Sequence, residues 1–287
     1  MRYPGLFKIA IFLLLTNNLS AQKIVKVRGV KGEYQLAPKS EISPKAAYDK
    51  AVNDAKLNVL RKAGIAEHIS SSDVLTKQQQ GSDLKQIFTS ISAVEISGAI
   101  LNDTILPGPS PYIDKFGNTV YTVIIDAEVI KYETQPDRTF EFEVEGLREA
   151  YEDGDMLRFS FLPKTQGYLK IFNFNDADNY LIYPYYDKQY PYINDKTDKL
   201  FIANEKVNFP INDLIGNPNT KETGYMLETD KENSEESLVF VFTKENIQFT
   251  GTPTLNNIKT WIYKITPDKR KVEYYYYRLH NKNKKQG

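Results

Sequence analysis

Between residues 139 and 250 the chain delivers β-rich stretches at short intervals: "TFEFEVEG", "LRFSFLP", "GYLKIFNF", "NYLIYPYY", "KLFIANEKVNFPI", "GYMLET" and "SLVFVFT". Turn signals such as "KTQG", "NDADN" and "KENSEE" separate them, and no helical spacing of apolar residues intrudes before residue 253. Short strands of Val, Ile, Phe and Tyr joined by polar turns predict an antiparallel β-sandwich or barrel. Thr252-Pro253 then opens a helix with Leu255, Ile258, Ile262 and Ile265 on one face, and Pro267 ends it. Trp261, the only tryptophan, lies beside that stripe and is expected to pack the helix on the sandwich. "VEYYYYRLH" reads as a last strand, and "NKNKKQG" as a disordered tail.

The N-terminal part has a different rhythm. "IVKVRGVKGEYQL" (24–36) alternates in part, as a strand does. In "ISPKAAYDKAVNDAKLNVLRKAGI", Ser43 and Pro44 mark a helix start and Gly64 a stop. Ala47, Ala51 and Ala55 recur every fourth residue, giving that helix a small-residue face on which it lies close to a sheet. "AVEISGAIL" (93–101) and "TVYTVIIDAEVIKYE" (119–133) are β-rich. The fold class expected is therefore α+β. A small α+β domain over 22–133 is joined by a linker at 134–138 to a β-sandwich-like domain over 139–280, with one C-terminal helix and a tail at 281–287.

The first 21 residues set the expected compartment. Arg2 and Lys8 precede the apolar run Ile9 to Leu15, and Leu19-Ser20-Ala21 closes the segment. That is the layout of a secretory signal peptide, too short in its apolar part to span a bilayer. The mature protein is expected to begin at Gln22, exported to the periplasm or beyond, with no membrane span after cleavage. Lys+Arg and Asp+Glu are equal at 37 each, which argues against a general nucleic-acid binder. The absence of cysteine removes thiol nucleophiles, disulfides and cysteine-ligated zinc. His68 and His280 are the only histidines, and neither sits in a metal or triad motif.

Two resemblances follow from these segments. The order of strand, alanine-rich helix ending in "RKAGI", "VEISGAIL" and "YTVIIDAEV" resembles the small N-terminal domain of bacterial flagellar-assembly T-type proteins and related envelope lipoproteins. A lipoprotein would need a cysteine, which this chain lacks. Residues 156–262, with "GYLKIFN" (167–173), Tyr183-Pro184 and Val207–Pro210, are similar to a domain of unknown function in exported bacterial proteins. That resemblance implies a β-rich accessory domain with no chemistry attached to it.

The tyrosines are the densest candidate for a site. "YLIYPYYDKQYPYIND" (180–195) places six of them around Pro184 and Pro191. Proline interrupts a regular central strand, so Tyr185, Tyr186, Tyr190 and Tyr192 are expected on an edge or loop, and together with Tyr183 they form the candidate binding rim. The competing reading is that these rings simply fill core. In "YYYY" (274–277), alternation puts Tyr274 and Tyr276 on one side and Tyr275 and Tyr277 on the other, so that one set can be buried while the other meets solvent through its hydroxyls. Asp176 and Asp178 fit a hairpin turn better than a calcium loop. Glu141, Glu143 and Glu145 read as a solvated strand face. No catalytic residue, metal ligand or cofactor is assigned.

Three functional readings fit, in this order. The first is a non-enzymatic, exported envelope protein acting as a binding or assembly module for a protein partner. The second is carbohydrate recognition by the tyrosine-rich rim. The third is a carboxylate-dependent glycoside hydrolase, which would need two acids facing each other across a cleft.

Overall fold

The computed structural model describes residues 22–65, 98–175, 179–185, 199–211, 215–217 and 222–282. The expected signal peptide, residues 66–97 with His68 and the first part of "AVEISGAIL", Asp176, Asp178, Tyr186, Tyr190, Tyr192 and the end of the tail lie outside those residues.

The first unit contains β1 (Lys23–Leu36), α1 (Pro44–Lys62), β2 (Gly98–Leu106), β3 (Tyr112–Ile113) and β4 (Thr119–Lys131). Strand β4 is central, with β1 and β2 antiparallel on either side and β3 pairing its start. Helix α1 begins where the sequence marks it: the Ser43 hydroxyl accepts from Ala46 N at 3.2 Å, and Pro44 follows. Ala47, Ala51 and Ala55 are fully buried against β1. The approach is close because β1 offers no side chain at Gly32. A Cβ there would sit 2.1 Å from Ala55 N and 2.4 Å from Ala51 O. Val27 and Val30 of β1, with Val123, Ile125 and Val129 of β4, complete this core.

The second unit begins with β5 (Phe142–Glu145), β6 (Ala150–Glu152), β7 (Met156–Leu157), β8 (Phe159–Pro163), β9 (Gly167–Phe174) and β10 (Asn179–Tyr183). It continues with β11 (Leu200–Phe201), β12 (Val207–Phe209), β13 (Gly216–Asn217), β14 (Glu222–Thr223) and β15 (Tyr225–Met226). It closes with β16 (Asn233–Thr243), α2 (Leu255–Tyr263) and β17 (Arg270–His280). The main sheet runs β10-β9-β16-β17-β6, with β11 also on β9. A smaller sheet, β12-β8-β5, faces it across an aromatic core. Phe140 stacks on Phe242 at 4.7 Å, and Phe142 lies 5.0 Å from Phe161 and 6.2 Å from Phe240. Such ring pairs add stability beyond the area they bury. The pairing is antiparallel except where β6 runs parallel to β17. The expected α+β class, with an antiparallel sandwich and a C-terminal helix, is the architecture found.

The outer face of the main sheet is covered as well. Phe172, Phe174, Val239 and Val241 pack against Ile258, Ile262 and Tyr263 of α2 and against Ala99, Leu101 and Ile130 of the first sheet. This explains why β16 is buried without a break from Glu236 to Thr243: a strand covered on both faces does not alternate. The tyrosine alternation in β17 holds, with Tyr275 and Tyr277 toward the sandwich and Tyr274 and Tyr276 toward α2. Tyr277 is buried, while Tyr274, Tyr275 and Tyr276 are half-buried; α2 lies over the second face and leaves Tyr274 and Tyr276 only partly open to solvent.

Helix α2 starts at Leu255, two residues beyond Pro253, and is capped by Thr254, whose hydroxyl accepts from Asn257 N at 3.3 Å. Trp261 packs edge-on to Phe172 and Phe249 and donates to Gln248 O at 3.1 Å. At the other end Arg270 donates to the Ile262 and Ile265 carbonyls, and its guanidinium lies 5.3 Å over the Tyr132 ring. Tyr132 in turn donates to Tyr263 O at 2.8 Å, so the helix end is tied to both sheets. The acids of the 141–145 stretch are solvated and paired. Glu143 meets Lys164 at 2.8 Å and Glu145 meets Lys206 at 2.6 Å, on the outer strand of the smaller sheet. No described helix is long and apolar enough to cross a membrane.

Candidate functional site

Of the five tyrosines expected at a binding rim, the structure describes Tyr183 and Tyr185. Tyr183 is a correction. It is 1% exposed, with its ring edge-on to Phe209 at 5.1 Å and to Phe201 at 5.8 Å. It lies on β10, an edge strand of the main sheet. The inner face of an edge strand is still core, however. The register irregularity between Leu181 and Tyr183 sets Tyr183 opposite Ile171 on that inner face.

Tyr185, just past Pro184, is half-buried, and its ring lies 6.3 Å from that of Tyr225. Both rings line a cleft of about 530 Å³ at one end of the sandwich. Tyr180, 49% exposed, stands at its edge. Leu157, Ile182, Ile215 and Leu227 supply apolar wall, and Asn173, Asn175, Glu228 and Glu236 supply polar groups.

Glu236 is the unexpected member. The inner face of β16 carries Leu238, Phe240 and Phe242. Glu236 is two residues before Leu238, so its side chain emerges on the same face. Its register partner on β17 is Tyr277. The residue is 4% exposed. Burying a carboxylate is costly unless hydrogen bonds hold it. Here Tyr277 donates to Oε2 at 2.6 Å, and Asn173 Nδ2 donates to the same oxygen at 2.9 Å. Both bonds fall on Oε2, and among the described residues none donates to Oε1. Burial and the Glu236 charge push the Tyr277 hydroxyl well above its ordinary pKa of 10, so it keeps its proton and remains a donor.

Support for this pair comes from Tyr151, whose ring meets Tyr277 edge-on at 5.2 Å while its hydroxyl accepts from Arg148 N at 2.9 Å. Tyr277 is thereby held in place before anything enters the cleft. The arrangement amounts to a pre-oriented carboxylate at the floor of an aromatic-walled space, able to accept hydrogen bonds and to attract positive charge. Among the described residues no group of three His, Cys, Asp or Glu could hold a metal ion.

Sequence reasoning missed Glu236 because it falls in "KENSEE", whose charge suggests a turn. A signal was present nonetheless. Ser234, Glu236, Leu238, Phe240 and Phe242 form a single period-two series, and "RKVEYYYYRLH" is long enough to require an equally long partner. Compared with known proteins, the chain matches no protein-family model and no curated protein.

Proposed function

We propose that this protein is a non-enzymatic binding module exported to the cell envelope, and that its ligand occupies the Glu236 cleft. The observation that carries the reading is a cleft of about 530 Å³, within the usual size of a ligand site, with a held carboxylate at its floor. Tyrosine walls suit this role, since each ring offers an apolar body and a polar tip. Export rests on Arg2, Lys8, the Ile9 to Leu15 run and Ala21.

Thermal-shift measurement against a panel of neutral glycans, amines and short peptides tests the binding reading. A ligand is expected to raise Tm in the native protein and to lose that effect in Glu236→Ala. A panel in which no compound shifts Tm rejects it. N-terminal sequencing of protein from its own host tests export separately: the chain is expected to start at Gln22, and a retained Met1 refutes cleavage. Glycan recognition is a second reading of the same cleft, favoured by the exposed Tyr180 ring beside Asn175.

A further inference from the structure

We infer that the Glu236 cleft receives an organic cation, a primary ammonium or guanidinium group carried on an apolar stem. The inference rests on the reading of this cleft as a ligand site and goes beyond it by assigning the chemistry.

Charge is the first ground. Several acids elsewhere in the molecule face cations: Lys26 lies 3.2 Å from Glu128, Lys56 3.1 Å from Asp103, and Lys244 2.6 Å from Asp137. Those pairs stand in or near solvent, where an ion pair matters least. Glu236, at 4% exposure, is where a compensating charge matters most, yet its described partners are the neutral Tyr277 and Asn173. None of the described residues lining the cleft is Lys, Arg or His. Glu228 lines the same cleft and has no ion-pair or hydrogen-bond partner among the described residues, so the described lining carries two acids and no base.

Geometry is the second ground. Tyr277 and Asn173 occupy Oε2 and leave Oε1 for a donor arriving through the cleft. A cation bound there forms a charge-assisted hydrogen bond, about twice as strong as a neutral one. The rings of Tyr185 and Tyr225 lie along the way, and aromatic faces attract ammonium and guanidinium groups. Ile182, Ile215 and Leu227 offer apolar contact to the stem behind the charged head. A neutral sugar hydroxyl could also donate to Oε1, but it would leave the buried charge uncompensated. That difference favours the cation.

The cation could belong to a free amine or to a lysine or arginine side chain of a partner. Calorimetric titration of the protein with n-pentylammonium and with the peptide acetyl-Gly-Lys-Gly-amide separates the sources. The controls are 1-pentanol, the same peptide with its lysine acetylated, and maltotriose. At least one cation is expected to bind, its neutral counterpart is not, and added salt is expected to weaken the complex. Glu236→Gln keeps the shape and is expected to lower affinity about 30-fold or more. Glu228→Gln, at an exposed position, is expected to lower it by a few-fold with the melting temperature unchanged, which keeps the test valid should the buried variant fold poorly. Binding of the peptide alone assigns a protein source, and binding of the amine alone assigns a small molecule. If maltotriose binds, the cations do not, and Glu236→Gln changes nothing, the cation inference falls while the binding reading stands. If no probe binds, both fall.

Discussion

Tyr277 and Glu236 face each other across the β16–β17 ladder, and the Tyr277 hydroxyl donates to Glu236 Oε2 at 2.6 Å. The contact joins the aromatic interior of the sandwich to the buried carboxylate of its cleft. The strand that carries Phe240 and Phe242 into the core therefore also positions the group proposed to meet ligand. Packing and recognition share one register here, and a shift of one residue would turn Glu236 to the opposite face.

Tyr277→Phe removes one of the two donors to Glu236 without changing the ring. Leaving a buried acceptor short of a partner costs about 1–3 kcal/mol. Urea unfolding is expected to show a loss in that range at constant m-value. An unchanged midpoint would show that water replaces the hydroxyl and that the pair is not structural.

The two tyrosines of β10 should separate cleanly. Tyr183→Ala opens a hole among Phe201 and Phe209 and is expected to cost about 3–5 kcal/mol. Tyr180→Ala, at a side chain half exposed to water, is expected to cost less than about 1 kcal/mol. Equal losses in thermal melts would contradict the burial assigned to Tyr183.

Gly32→Ala probes the contact between β1 and α1. The added methyl would meet the backbone of Ala51 and Ala55, which cannot rotate away as a side chain would. Overpacking of this kind costs about 1–3 kcal/mol or more. A melting temperature equal to that of the native protein would show that the helix moves outward freely.

Alkaline pH should weaken the fold. The hydroxyls of Tyr275, Tyr276 and Tyr277 are pushed up from 10, in each case mainly by burial, and Tyr276 reaches about 12. The folded state thus holds these protons more tightly than the unfolded state does. Their stabilising contribution is complete below pH 10; that of Tyr276 is lost as pH rises through about 12, and those of Tyr275 and Tyr277 at still higher pH. The denaturation midpoint is expected to fall above pH 10, and Tyr276→Phe should shallow that fall. A midpoint that rises over this interval would reverse the assigned direction.

Arg270→Lys tests the clamp at the end of α2. Arg270 reaches the Ile262 and Ile265 carbonyls together and lies over Tyr132. An ammonium group lacks the planar fork needed for all three contacts. A loss of about 1–3 kcal/mol is expected, read by thermal unfolding. Native-like stability in the lysine variant would mean that charge alone suffices at the helix end.

Much of the fold was legible because its signals are local. Ser43, Pro44 and Gly64 delimit α1 through interactions within a few residues, and the alanine stripe already implied a close-packed face. The short-strand rhythm after residue 139 led directly to an antiparallel sandwich. The site was legible only in part. Tyr185 does line the cleft, while Tyr183 turns into the core because a bulge in β10 alters which side chains face inward. Pattern alone does not place a bulge.

By itself, then, the sequence determined which segments are strands and helices and which residue types fill them, since propensity, capping and periodicity act over short distances. Only the tertiary structure decided that "KENSEE" ends inside a strand and that Asn173 and Tyr277 meet on one oxygen of Glu236. Those residues lie far apart in the chain, and their meeting depends on the register of three paired strands, a property that none of the strands carries alone.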